Sequence, residues 1–209
     1  MPADWTIDHW PVCGSHAFLS HVAEDRETLV QPVLEKLQSH KVICWLDQLH
    51  YPTGRDSHDA LRDSLLRCRH LIYFITPAML KQGRGWTAIE SAYGDLIQQQ
   101  LNLPTSTLVQ FELPLFFVPI THPGLQRTSW RRLADRGAFH RFGRKAVAIS
   151  PVDWAVQQII AFIQREADQA MAVASRLPLD ISLNARCQRD RNFANRLLAI
   201  TPDQHPVPV

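Results

Sequence analysis

The stretch from Leu71 to Pro77, LIYFITP, decides the fold of this chain. Its first five residues are apolar or aromatic without alternation, which is typical of a strand buried on both faces of a parallel sheet. Thr76 and Pro77 then give the pattern of a helix N-cap followed by proline at the first helical position. The stretch therefore predicts a buried strand that leads directly into a helix.

The same alternation of strand and helix extends in both directions along the chain. Further apolar segments predict strands at residues 17–19, 42–46, 115–118 and 146–149. Apolar residues at helical spacing predict helices around residues 29–37, 61–68, 86–97 and 156–163. Ser150-Pro151 repeats the cap signal. This order predicts an α/β protein with a flavodoxin-like three-layer sandwich, in which helices cover both faces of a five-stranded parallel sheet.

The length and composition fit one domain with additional segments. The chain has 209 residues, of which 45% are hydrophobic, enough to bury one substantial core. We assign residues 1–13 to an N-terminal lead-in, residues 14–170 to the folded domain and residues 171–209 to a C-terminal extension. The prolines near the end of the extension argue against regular structure there.

The charge distribution gives little support to nucleic-acid binding. The formal net charge is only +2, although residues 127–145 contain seven Arg or Lys and one acid. We interpret this stretch as a solvated basic surface; the alternative is that it, or residues 186–196, binds nucleic acid or an acidic partner. No groove-reading motif accompanies the charge, so we do not expect nucleic acid as a partner.

The cysteines and the hydropathy pattern predict a cytoplasmic protein that does not bind a membrane. The four cysteines show no CxxC spacing, and Cys44 lies within an apolar run, as expected of reduced structural thiols. We find neither a signal-peptide pattern nor an apolar run of the roughly 20 residues that span a bilayer. The ten histidines also lack metal-ligand spacing, so we expect no metal site.

Polar and aromatic residues collect where the predicted strands end. Ser20 and His21 follow the first strand, Trp45 and Asp47 end the second, and Glu90 lies four residues after Trp86 on one helical face. Ligands of open parallel sheets bind beyond the carboxyl ends of the strands. We therefore expect a ligand site at this edge.

These motifs, in this order, resemble the Toll/interleukin-1 receptor (TIR) homology domain, especially its bacterial NAD-cleaving branch. The likeness covers about residues 14–165. It rests on Phe18-Leu19-Ser20-His21 with Glu24-Asp25, Trp45-Leu46-Asp47 followed by Gly54, the strand from Leu71 to Pro77, Trp86 with Glu90, and Phe117-Val118-Pro119-Ile120. The chain departs from several NAD-cleaving relatives at His21 and Val22, where they carry Tyr or Arg, and the segment between Gln98 and Pro114 is longer than usual.

The resemblance implies an enzyme that cleaves the nicotinamide-ribose bond of NAD+, either a glycohydrolase or a cyclase. Glu90 corresponds to the catalytic glutamate of that branch. NAD+ is then the substrate, and no cofactor is expected. The resemblance further implies substrate contacts from six positions: Phe18, Ser20, His21, Trp45, Asp47 and Trp86.

The chemistry of NAD+ explains how one carboxylate can suffice. Nicotinamide leaves a cationic pyridinium as a neutral molecule, so it needs no general acid, unlike the alcohol released from a sugar glycoside. Glu90 would stabilise positive charge at the anomeric carbon, and Trp45 would stack on the cationic ring. The ordinary interpretations remain open: Glu90 as a solvated helix residue, both tryptophans as core, and Asp47 as a turn residue.

A serine hydrolase is a poor alternative. Ser20 and His21 are adjacent, and neighbouring side chains of an extended strand point to opposite faces, so they cannot readily form a dyad. The chain also lacks the G-x-S-x-G motif.

The resemblance implies partners as well as chemistry. It indicates a bacterial antiphage system of the Thoeris kind, with self-association through TIR surfaces and a separate effector that senses the nucleotide product. The alternative is a TIR adaptor or virulence effector without catalysis. In that case the loop after the second strand forms the interaction surface, through Leu49, His50, Tyr51, Pro52 and Gly54.

Overall fold

The computed structural model describes residues 15–46, 60–61, 64–65, 68–82, 85–101, 110–140 and 149–174. Within them, five strands form one sheet: β1 (Ser15–Ser20), β2 (Cys44–Trp45), β3 (Cys68–Ile75), β4 (Glu112–Phe116) and β5 (Ala138–Phe139). The spatial order is β2-β1-β3-β4-β5, and every neighbouring pair is parallel. This is the flavodoxin-like order, which confirms the predicted fold class.

Helices pack on both faces of this sheet. They are α1 (Gln31–Ser39), α2 (Pro77–Gln82), α3 (Trp86–Leu101), α4 (Pro123–Gln126) and α5 (Pro151–Ala174). Apolar residues of α1 and α5 share one buried cluster with Ala17, Leu19, Ile72 and Phe74. Those of α2, α3 and α4 share the other with Phe18, Leu71, Tyr73 and Ile75. Alternate strand residues therefore face different helical layers.

Two of the predicted helix starts are confirmed by their capping bonds. Thr76 Oγ1 accepts a hydrogen bond from the backbone N–H of Met79 at 3.1 Å, and Ser150 Oγ accepts one from Asp153 N–H at 3.1 Å. Each side chain satisfies an amide that the first helical turn leaves unpaired. The Thr-Pro and Ser-Pro pairs thus fix where α2 and α5 begin.

The chain enters α1 through two irregular turns. A 3₁₀ turn at Ala23–Asp25 and a π-helical turn at Arg26–Val30 precede the regular helix, in which Pro32 is the second residue. A proline has no N–H to donate and its ring crowds the carbonyl four residues earlier, so the wider turn accommodates it. The predicted apolar stripe is nevertheless buried along both segments, through Leu29, Val30, Val33, Leu34 and Leu37.

Several predicted strand limits were wrong. The second strand was expected to span 42–46 and be buried on both faces, but β2 has only two residues, and Ile43 is 47% exposed. As the sheet's edge strand, β2 pairs with β1 alone. Cys68, expected on a helix with Leu61 and Leu65, instead begins β3, because it pairs with Ser15.

The fourth and fifth strands also differ from expectation. β4 covers Glu112–Phe116 rather than 115–118, because it pairs with β3 from Glu112, opposite Leu71, to Phe116, opposite Ile75. The fifth strand is Ala138–Phe139. Of the strand predicted at 146–149, residues 146–148 lie outside the described residues, and Ile149 is exposed and irregular.

Two of the cysteines, Cys44 and Cys68, are described, and both are buried. Burial raises the pKa of the Cys44 thiol to about 12, so it is protonated and unreactive at neutral pH. Cys13 and Cys187 lie outside the described residues. Among the described helices, none is both long enough and apolar enough to cross a membrane.

Candidate functional site

The centre of the candidate site is a hydrogen bond between Ser20 and Glu90. Ser20 Oγ donates to Glu90 Oε2 at 2.5 Å, across a separation of 70 residues in sequence. Ser20 is 1% exposed and Glu90 is 6% exposed. The structure therefore brings the predicted catalytic residue directly onto one of the predicted substrate contacts.

Strand alternation explains why Ser20 meets α3. Phe18 belongs to the cluster on the α3 side of the sheet, and Ser20 lies two residues later, so both side chains face the same way. Ser20 is the last residue of β1 and pairs in register with Tyr73 of β3. The strand order changes direction between β1 and β3, which is where ligands of this fold bind.

Two aromatic residues lie on the same side of the sheet. The Phe18 and Trp45 rings are stacked, with centroids 4.5 Å apart and an angle of 18° between their planes, and the residues pair in register. Trp45 is only 6% exposed, whereas Trp86, one turn before Glu90, is 45% exposed. Trp86 therefore presents more of its surface to a ligand than Trp45 does.

Both ring nitrogens of His21 contact partners other than the Ser20 hydroxyl. Arg26 Nε donates to His21 Nε2 at 3.2 Å, and His21 Nδ1 lies 3.0 Å from the Leu19 carbonyl oxygen. Since Nε2 accepts, Nδ1 carries the proton and donates to that carbonyl. Ser20 donates to Glu90 instead, so the two neighbours do not form a dyad.

Asp25 and Thr76 form a second link at this edge, which was not predicted from the sequence. Thr76 Oγ1 donates to Asp25 Oδ2 at 2.5 Å while also capping α2. Burial raises the pKa of the Asp25 carboxyl, and the Thr76 hydrogen bond partly offsets that rise. The signals in the sequence were an acidic helix start and a Thr-Pro cap, but nothing in it indicated that they meet.

The remaining predicted site residues are not placed. Asp47 and the interaction-loop residues lie outside the described residues: Leu49, His50, Tyr51, Pro52 and Gly54. Their roles stay predictions. In the described part of the chain, no three His, Cys, Asp or Glu side chains are grouped in a way that could hold a metal ion.

Solved structures similar to this chain include two of one receptor. A metazoan TIR-STING receptor from C. gigas matches with 18% identity and a TM-score of 0.47, over 72% of this chain and 40% of the receptor. The same receptor in complex with 2',3'-cGAMP matches with 18% identity and a TM-score of 0.44, over 70% and 40%. This chain thus corresponds to about 40% of the length of either receptor chain.

Sequence comparison gives the family. No curated protein matches the chain. The family model of the TIR domain matches residues 17–144, which include most of β1, all of β2 to β5 and the Ser20–Glu90 pair. The chain therefore belongs to the TIR domain family.

Proposed function

We propose that this TIR domain cleaves the nicotinamide-ribose bond of NAD+ and that Glu90 is its catalytic residue. The observation that carries the proposal is the buried hydrogen bond between Ser20 and Glu90 at the carboxyl end of β1. NAD+ is the substrate, and the reaction as written uses no cofactor.

The burial of Glu90 supports a catalytic role for this residue. A carboxylate taken out of water costs free energy unless it is hydrogen-bonded, so glutamates are seldom placed on the sheet-facing side of a helix without reason. Glu90 lies there, and Ser20 supplies a charge-assisted hydrogen bond. The carboxylate is also held at the carboxyl end of β1, where ligands of this fold bind.

A buried carboxylate also fits the chemistry of the proposed reaction. Cleavage develops positive charge at the anomeric carbon of the ribose while neutral nicotinamide departs. A preorganised carboxylate in a poorly solvated site stabilises that charge more strongly than water does. The Ser20 hydroxyl fixes Oε2 of this carboxylate, and the carboxylate would bind the ribose hydroxyls or guide the incoming nucleophile.

The aromatic residues give the substrate its orientation. Trp86 lies one helical turn before Glu90 and is half-exposed, and in the proposed complex the exposed part of its ring stacks on a planar cationic group. The Phe18–Trp45 stack forms the apolar part of the same layer. His21 and Asp47 complete the proposed substrate contacts.

Self-association is part of the proposal, because Glu90 is only 6% exposed. Contact between TIR surfaces would open the carboxylate to substrate, and the product would signal to a separate effector protein in bacterial antiphage defence. The rate per molecule should then rise with protein concentration.

The test is product analysis by chromatography after incubating the purified chain with NAD+ over a range of protein concentrations. We expect nicotinamide together with linear, cyclic or conjugated ADP-ribose, in yields that rise faster than protein concentration. If no nicotinamide appears at any concentration or with cell extract from phage-infected bacteria, the enzymatic proposal is wrong.

A purely interacting TIR module is the second candidate, and the exposure of Trp86 favours it. Tryptophans are enriched at protein interfaces and often dominate their energetics. In this case Trp86→Ala would abolish self-association in sedimentation experiments, while wild-type protein would release no nicotinamide. Loss of nicotinamide release with self-association intact would instead assign Trp86 to the substrate.

A further inference from the structure

A buried polar pair lies inside the otherwise apolar cluster between the sheet and α3. Tyr73 Oη donates to Glu112 Oε1 at 2.8 Å, and both residues are fully buried. Glu112 Oε2 has no hydrogen-bond partner among the described residues and lies 3.9 Å from Arg136 Nη1. Such a pair is a costly choice for a core position, since apolar residues of similar size stabilise better.

Helix α3 contacts this pair directly at Gly94. A Cβ atom added to Gly94 would lie 2.2 Å from Tyr73 Oη and 2.6 Å from Glu112 Oε1. Glycine is itself destabilising in a helix interior relative to alanine. The glycine and the buried polar pair are each unfavourable for stability, and they are in contact. The absence of a side chain at Gly94 lets α3 lie close to the sheet.

The Gly94 contact lies next to the Ser20–Glu90 hydrogen bond, both along α3 and across the sheet. Gly94 follows Glu90 by one helical turn, so the two share a face of α3. Tyr73 pairs in register with Ser20 on the neighbouring strand. Burial is the main reason why the pKa of the Tyr73 hydroxyl is raised. The charge of Glu90 also contributes to that rise. The depth at which α3 lies on Tyr73 thus bears on where Glu90 meets Ser20.

Arg132 holds the same part of α3 from its side. Its guanidinium donates to Ser91 Oγ at 2.8 Å and forms an ion pair with Asp95. Ser91 directly follows Glu90, and Asp95 directly follows Gly94. Arg132 belongs to the basic stretch that we interpreted as a solvated surface, yet it binds α3.

We propose that Tyr73 and Glu112 are positioning residues, which set the depth of α3 at Gly94 and thereby hold Glu90 in reach of Ser20. The inference deepens the proposed function, since it concerns the same carboxylate. It concerns geometry first, so it can be tested whether or not the chain cleaves NAD+.

The test compares crystal structures of Gly94→Ala and Gly85→Ala. Alanine at Gly85, just before α3, has nothing within 4 Å of its added Cβ and serves as the matched control. We expect Gly94→Ala to displace α3 and lengthen the Ser20–Glu90 distance beyond hydrogen-bonding range, with Gly85→Ala unchanged. An undisplaced helix with the hydrogen bond kept in Gly94→Ala overturns the proposal.

The kinetic arm uses Tyr73→Phe, Glu112→Leu and Glu112→Gln, with thermal midpoints measured alongside. Gln retains an acceptor for the Tyr73 hydroxyl, so Glu112→Gln should keep kcat within about threefold of wild type. Tyr73→Phe and Glu112→Leu should lower kcat about tenfold with KM unchanged, even where the thermal midpoint does not fall. If kcat follows only the thermal midpoint, the pair is merely structural.

The two arms separate the two proposals. If the wild-type chain releases no nicotinamide but Gly94→Ala breaks the Ser20–Glu90 bond, the proposed function fails and the positioning role stands. If the wild type is active and the bond persists in Gly94→Ala, the reverse holds.

Discussion

Glu90 and Glu166 are both buried glutamates on helices, but they lie on opposite faces of the sheet and contact different partners. Glu166, on α5, is 3% exposed and accepts a hydrogen bond from the backbone N–H of Gln110 at 3.0 Å. Glu90 accepts one from the Ser20 side chain at 2.5 Å. A backbone amide is present whatever the side chain and needs an acceptor when buried, whereas the serine hydroxyl belongs to a side chain that another residue type would lack. We therefore expect a structural role for Glu166, in contrast to the functional role that we propose for Glu90.

The largest predicted effect is on stability. Glu166→Leu removes the acceptor of a part-buried amide and the carboxylate near Arg165, and should cost about 3 kcal/mol of unfolding free energy. Glu90→Leu should cost less, about 1 kcal/mol, because it leaves the Ser20 hydroxyl unpaired but also removes a buried carboxylate whose desolvation opposes folding. Urea denaturation measures both. Equal losses would mean that Glu90 is as structural as Glu166.

The second prediction sharpens the role of Ser20. Ser20→Ala removes a hydrogen bond to a charged group, worth about 2 kcal/mol, so kcat for nicotinamide release should fall about thirtyfold. Ser64→Ala is the control, because Ser64 is another buried serine but donates to the backbone carbonyl of Ala60. Its kcat should be unchanged. Similar activity in the two variants would show that Ser20 does not support Glu90.

The third prediction concerns the face opposite Glu90. Burial holds the pKa of His70 well below its usual value, and the charges of Arg69, His16 and Arg165 lower it further, against a hydrogen bond to Gln110 O. The folded state therefore keeps His70 neutral while the unfolded chain binds a proton below about pH 6.5. The contribution of His70 to the free energy of unfolding is therefore fully present above that pH. It decreases as the pH falls, by up to about 1.4 kcal/mol per pH unit.

Urea denaturation from pH 7.5 to 5 of wild type and His70→Leu measures this effect. The variant should lose less stability than wild type over the acidic half of the range. Parallel curves would show that His70 does not titrate on unfolding in this window.

The smallest predicted effects are at the helix caps. Ser150→Ala should cost about 1 kcal/mol, the usual value of an N-cap. Thr76→Ala should cost more, because Thr76 is buried and also donates to Asp25 at the edge near the site. Thermal denaturation compares the two. A larger loss of stability in Ser150→Ala than in Thr76→Ala would contradict a stabilising role for the Thr76–Asp25 hydrogen bond.

The sequence predicted the fold well wherever local chemistry determines it. The Thr76-Pro77 and Ser150-Pro151 caps, the apolar run of β3 and the stripe on α1 all depend on near neighbours in the chain. β4 was misplaced, because a charged residue and a proline are unusual inside a buried strand. The position of Glu112 is explained only by the hydrogen bond that Tyr73 donates to its carboxylate. A strand as short as Ala138–Phe139 carries almost no pattern of its own.

The site was predicted less completely, since its contacts join distant residues. Glu90 and Ser20 were each identified, but only the packing of α3 on β1 shows that they are hydrogen-bonded. The Asp25–Thr76 link and the Gly94 contact with Tyr73 were missed for the same reason. Periodicity tells which face a residue occupies but not which residue of another element lies opposite.

The most direct test of the central claim is the initial rate of nicotinamide release by Glu90→Gln relative to Glu166→Gln. Both variants replace a buried helical carboxylate with an amide of the same shape, so they differ in the face of the sheet that they alter. We predict that Glu166→Gln stays within about twofold of wild type and that Glu90→Gln falls at least about a hundredfold, as expected for a group that stabilises transition-state charge. Equal rates in the two variants would contradict the assignment of Glu90 as the catalytic residue.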